Sequence, residues 1–244
     1  MIFDMTKRTG GGGGYVASDW LDPTKPTGEL ASNETVISTC MAERMGSFSL
    51  QLPNATTLPY RFCYKCTGLT SINAPNVETM TGEAFQNTTS LTGNIFMPKA
   101  SLPTSCFSGS AIRCCVYKRT VNANSSVFRY CSHLVAVDQI GEGPLTGTNI
   151  FNQCSSLNAI ILRSSTLIAL GNVNSLGNTP FKSGGTGGTI YIPKSLYDHL
   201  GDGTADDYKS AANWSTYDGY GTITWAKIEG SYYETHYADG TLIS

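Results

Sequence analysis

Cysteine is the residue type in this chain best placed to do chemistry. Eight occur among 244 residues. Cys63-Tyr-Lys-Cys66 has the spacing of a thiol redox pair, and Cys114 adjoins Cys115. A redox motif needs its first thiol exposed at a helix start, where the thiolate is stabilised. A four-thiolate zinc site needs a second Cys-x-x-Cys, which is missing, and His133, His199 and His236 lie far apart in sequence. Asp198, Asp202, Asp206 and Asp207 crowd a glycine-containing stretch as calcium ligands would, yet EF-hand and nonapeptide spacings are absent and turn or capping roles account for each. No Gly-x-Ser-x-Gly elbow marks a nucleophile. Gly10 to Gly14 is followed by Tyr15-Val16, where a phosphate loop would carry Lys and Ser or Thr. The expectation is no catalytic residue, no metal and no cofactor.

The cysteines instead fall into a repeated phrase. An aromatic or thiol anchor is followed three residues later by a small or thiol residue, and then by an aliphatic. It reads Cys63 to Leu69, Phe85 to Leu91, Phe107 to Ile112, Phe128 to Leu134 and Phe151 to Leu157. The closing aliphatics at 69, 91, 112, 134 and 157 step by 22, 21, 22 and 23 residues. A period this regular predicts a solenoid, with Phe62, Phe85, Phe107, Phe128 and Phe151 lined up along its axis. Cys63, Cys66, Cys131 and Cys154 take positions that other coils fill with Phe, Thr or Gly, so they read as small buried apolar groups. Unpaired thiols fit a protein made in a reducing compartment.

Short apolar runs follow each phrase: Leu50 to Pro53, Ile72 to Pro75, Ile95 to Pro98, Cys115 to Lys118, Val137 to Ile140, Ile160 to Arg163 and Ile190 to Pro193. Each predicts a short strand with its first and third side chains inward, stopped in several coils by a proline that cannot continue a ladder. About seven such strands, one per coil, make a parallel sheet. Their outward residues, Gln51, Asn73, Phe96, Val116, Asp138, Ile161 and Tyr191, form the candidate binding ladder, with Phe96 and Tyr191 as aromatic anchors for a sugar ring or a partner side chain. The opposite wall is expected to be irregular or built of single helical turns.

Residues 188–244 lack the phrase. Ser195 to Leu200 and Asp207 to Trp214 have helical spacing. Thr222 to Ile228 and Tyr232 to Ile243 read as strands, the latter with an Asp239-Gly240 turn. The aromatic group Trp214, Tyr217, Tyr220, Trp225, Tyr232, Tyr233 and Tyr237 is expected to pack the solenoid end. The resulting division is an attachment segment and glycine tether over 1–14, an N-terminal cap over 15–46, repeats over 47–187 and a C-terminal cap over 188–244, since an unpaired coil face must be covered.

Ala84 to Leu91 and Ile150 to Leu157 resemble the phrase of BspA-like leucine-rich repeats, a resemblance that runs over roughly residues 47 to 181. Gly188 to Leu196 and Tyr208 to Tyr217 resemble the end piece of such repeats in proteins of gut bacteria and their phages. Coils around Cys115 and Val137 lose the proline. The resemblance implies a leucine-rich-repeat solenoid and a non-catalytic surface or virion protein that binds host proteins or glycans. Charged residues make up 14% and net charge is -2, which leaves no basic field for nucleic acid. No run of 18 apolar residues predicts a membrane helix, and Met1 to Arg8 shows no secretory h-region. These readings point to a phage virion protein made in the host cytoplasm, held by its N-terminal segment to other virion proteins and facing a host receptor or glycan or further copies of itself. The alternative is a bacterial cell-surface adhesin.

Overall fold

Phenylalanine sets the coil spacing. In the computed structural model, which describes residues 27–41, 43–118 and 124–243, the rings of Phe62, Phe85, Phe107, Phe128 and Phe151 form one buried file. Successive centroids lie 6.0, 5.2, 6.1 and 5.5 Å apart. The last three pairs stack at interplanar angles of 7°, 4° and 4°. Phe62 meets Phe85 at 87° instead, and the backbone explains why. Cys63 N–H donates to Ala84 and Phe85 N–H donates to Cys106, so Cys63 holds the stacking position while Phe62 inserts from one residue earlier. The expected axis is present. The attachment segment and glycine tether, residues 15–26 and 42 of the expected N-terminal cap and part of the Thr120 to Val127 connection lie outside the described residues.

The strand wall runs β1 (Gly28–Ala31), β2 (Phe48–Gln51), β4 (Leu69–Asn73), β6 (Asn94–Met97), β7 (Cys114–Lys118), β8 (Ala136–Ile140), β9 (Ala159–Leu162), β10 (Gly188–Ile192) and β11 (Ile223–Lys227). All pairings along it are parallel. The seven expected strands are all there, and β1 and β11 extend the column at its ends. Inward residues align by register, Leu50 with Ile72, then Ile95, Cys115, Val137, Ile160 and Ile190 in file, and nearly all are sealed in one core. A shorter side carries β3 (Thr57–Leu58) paired with β5 (Thr79–Met80), with single bridges at Val36–Thr57, Thr79–Ser101 and Leu145–Leu170. The described residues form a parallel β-solenoid.

The strand wall is divided. β1, β2 and β4 form one sheet and β6 to β11 another, with no backbone hydrogen bond between β4 and β6. The register slips between Phe48 and Ser49 opposite Leu69 and Ser71, leaving Thr70 as the extra residue of a bulge. A bulge bends its strand and ends regular pairing. Thr70 Oγ1 compensates by donating to Phe48 O at 2.9 Å.

Opposite the strand wall, each coil turns through two residues of positive φ. Arg61, Glu83, Ser105, Ser126 and Asn149 stand two before the stacking position, and Lys65, Asn87, Gly109, Tyr130 and Gln153 two after it. Only one of these is glycine. A left-handed non-glycine residue costs about 1–2 kcal/mol, so the stacked coils over-determine these turns. The small residue three after the anchor is buried, as expected, and it also bonds. Cys66 Sγ donates to Met41 O at 2.7 Å, Ser110 Oγ to Phe85 O at 2.7 Å, Cys131 Sγ to Phe107 O at 2.9 Å and Cys154 Sγ to Phe128 O at 2.9 Å. Ser and Cys exchange there as small donors reaching a carbonyl of the preceding coil, whereas Thr88 Oγ1 donates to Phe85 O within its own coil.

The C-terminal segment departs from expectation. The first helix, expected over Ser195 to Leu200, is the single turn α1 (Lys194–Tyr197), and the second is α2 (Trp214–Gly219) rather than Asp207 to Trp214. Asp207 holds the N–H groups of Gly201, Gly203 and Lys209 in a turn, and Asn213 at φ 66° blocks helix before Trp214. Tyr232 to Ile243 is a 3-10 turn over Tyr232–Glu234 and one antiparallel bridge, His236–Leu242, not a pair of strands.

Replacing Phe128, which stacks on both neighbours, by alanine should lower unfolding free energy by about 3–5 kcal/mol. Gly109→Ala should cost about 1–2 kcal/mol, because its φ is 72° and a Cβ would lie 2.2 Å from Asn87 Oδ1. Urea denaturation of each variant measures both.

Candidate binding face

The outward residues of the strand wall stand in register. Gln51 pairs with Asn73, and Phe96, Val116, Asp138, Ile161 and Tyr191 follow one another across the second sheet. The structure revises where this column is open. Val116, Asp138 and Ile161 are fully buried although they face away from the main core. Phe96 and Tyr191 are half-buried, Gln51 is half-buried and Asn73 is exposed.

What covers the column is the chain's own C-terminal segment, which leaves β11 and crosses the outer face. Ile228 packs with Ala136, Ala159 and Ile161 in a second apolar cluster, joined by Tyr191, Tyr233 and Ala238. Tyr191 meets the Tyr233 ring edge-on at 4.6 Å, and Phe96 meets Tyr237 at 5.6 Å. Both expected aromatic anchors are therefore engaged by tail tyrosines. Sequence reading assigned those tyrosines to the solenoid end, where Trp214, Tyr217 and Trp225 of the same group do pack, with Tyr208.

A buried ion pair fixes the segment. Arg163 Nε and Nη2 donate to the two Asp138 carboxylate oxygens at 2.7 and 2.8 Å. The same guanidinium donates to the Tyr233 and His236 carbonyls, both at 2.9 Å, and lies over the Tyr237 ring at 5.0 Å. Asp138 Oδ2 also accepts from Ala238 N–H at 2.9 Å, and Asn94 Nδ2 reaches Asp239 O at 3.1 Å. Burial pushes the Asp138 carboxyl above its ordinary range, against the pull of Arg163. Two side chains thus read three main-chain groups of the tail. Arg163 carries no local signal of this role in the sequence.

At the other end of the column the polar residues are linked to one another. Asn73 Nδ2 donates to Gln51 Oε1 at 2.9 Å, and Gln51 Nε2 to Glu29 Oε2 at 3.4 Å. Ser49 and Ser71 sit beside them in register, and Thr70 and Ser71 are exposed. This stretch is free of the tail.

The remaining chemical candidates resolve as scaffold. All eight cysteines are unpaired, and Cys63, Cys66, Cys106, Cys115, Cys131 and Cys154 are buried. Burial pushes most of these thiols up, Cys131 to about 12, whereas the hydrogen bond from Cys63 pulls Cys66 down. Both Asp207 oxygens are taken by backbone N–H groups, and Asp202 binds Thr204 and, at 2.6 Å, His199. His236 stacks on Tyr232 at 4.3 Å. Among the described residues no three His, Cys, Asp or Glu side chains gather as a metal set, and no helix is long and apolar enough to cross a membrane.

Two measurements test this description. Arg163→Ala should remove the main-chain tether and leave Asp138 an unpaired buried charge, a loss of about 3–5 kcal/mol, with amide exchange rising first at residues 233–239. A thiol reagent at pH 8 should label Cys40 rapidly and Cys114 more slowly in the native protein, the other thiols reacting only after denaturation.

Comparison with curated proteins and with solved structures finds no match. Residues 56–172 match the BspA type leucine-rich repeat region in six copies. The 22-residue step, the phenylalanine file and the parallel strand wall have the same origin in that repeat, and residues 56–172 are a leucine-rich-repeat region of the BspA type.

Proposed function

We propose that this chain is a non-catalytic binding module that presents the outer face of its strand wall to a partner on a cell surface. Repeats of the BspA type point to a protein-interaction or adhesive role. The observation that carries the reading is the outer column itself. It already holds a polypeptide segment by main-chain and aromatic contacts over Phe96, Asp138, Ile161 and Tyr191, and it continues open over Gln51 and Asn73. A long wall of this kind suits a surface partner, as concave solenoid faces do.

The finer reading is a virion surface protein of a phage. Two features support it. Eight unpaired thiols, most of them buried, suit folding in a reducing cytoplasm, where virion parts are made. The run of five glycines, Gly10 to Gly14, has the composition of a tether to a larger body. A bacterial surface adhesin is the second reading, favoured by the repeat family alone.

Antibody labelling of purified phage particles tests the choice. Decoration of particles, together with retention of the purified protein on host cells, is the expected result. Label confined to the bacterial envelope would replace the virion reading with the adhesin, and a protein that neither decorates particles nor binds cells would end both.

A further inference from the structure

The seam between the two sheets is the part of the outer face best equipped to take a ligand, and its chemistry is specific. β4 and β6 run side by side without a backbone hydrogen bond between them. Every other pair of neighbouring strands in the wall is joined by a parallel ladder. On the β4 side stand the amides of Gln51 and Asn73, already oriented by their mutual bond, and the exposed hydroxyl of Ser71. On the β6 side stand Asn94 and the Phe96–Tyr237 ring pair, tilted at 57° with both rings half-buried.

We propose that this seam is a binding site for a neutral oligosaccharide, an assignment that rests on the adhesive reading above and gives it a ligand class. Side-chain amides that bond to one another present their remaining donors and acceptors in fixed directions, which matches vicinal hydroxyl groups that both give and accept hydrogen bonds. An aromatic pair at the border receives the C–H face of a sugar ring, since such rings combine large apolar area with little conformational cost.

Charge decides against acidic sugars. The amides and hydroxyls of the seam are uncharged, and Glu29 borders it through its bond to Gln51. Asp239 borders the other side, with its carboxylate held by Thr241. The seam is also continuous with the interface already formed by the tail, because Tyr237 belongs to both.

The test uses the full chain against immobilised neutral polysaccharides (mannan, β-glucan, galactan) and, as the acidic arm, sialylated and uronic-acid polymers. Retention on at least one neutral polymer is expected. Phe96→Ala should weaken it by about tenfold or more. Ser71→Arg, an exposed substitution that should leave the melting temperature unchanged, should weaken it comparably. Tyr232→Ala, on the exposed far side of the tail, should leave it intact. Binding only to acidic polymers, or neutral binding that survives both seam variants, overturns the assignment. Retention on host cells that persists after periodate oxidation of their glycans also overturns it while leaving the adhesive role standing. Loss of all cell binding removes that role as well.

Discussion

Contact between an aromatic ring and its copy one coil away is the interaction on which the rest of this molecule depends. Ring stacking at 5–6 Å is slightly wider than the roughly 4.8 Å between bonded strands, so the file and the strand wall hold one common rise per coil. That rise aligns the outward side chains, brings the turn carbonyls within reach of the next coil's small donor and forces two residues per coil into the left-handed region. The repeated turn costs energy locally and is held by neighbours on both sides, as expected when stability is a sum of nearest-neighbour interfaces.

The thiols show how a residue that looks chemical becomes structural. Cys66, Cys131 and Cys154 share one position with Thr88 and Ser110, and what they share is a small side chain with a proton to give. Phe107 O and Phe128 O also accept a backbone N–H from Ser110 and Cys131, so the thiol of the next coil adds a second bond to an acceptor that has two lone pairs. The Cys-x-x-Cys spacing in the first coil results from a cysteine at the stacking position meeting a cysteine at the donor position.

The C-terminal segment divides the outer wall into two regions of different character. Over β6 to β10 the face is apolar with one buried ion pair, and the tail occupies it. Over β1 to β4 it is polar and open. The bulge at Thr70 lies where the two meet, so a local irregularity in one strand ends the regular ladder at the boundary between the covered and uncovered halves.

Much of this architecture was legible in the residues. The period, the phenylalanine file, the inward column from Leu50 to Ile190 and the burial of the repeat cysteines all follow from spacing, because a solenoid brings together residues one period apart and so writes its contacts into local sequence. Left-handed turns at Lys65, Tyr130 and Gln153 were not legible, since their common cause is the coil stack and not a shared residue type. The covering of Val116, Asp138 and Ile161 was also hidden. It depends on Asp138 meeting Ala238, 100 residues away, and on Arg163 meeting Tyr233 and His236 some 70 residues on. The sequence by itself determined the repeat and which side chains point outward, because neighbouring coils enforce a common pattern. Only the tertiary structure decided which outward residues meet solvent, because the tail that covers them has no periodic relation to the coils beneath it.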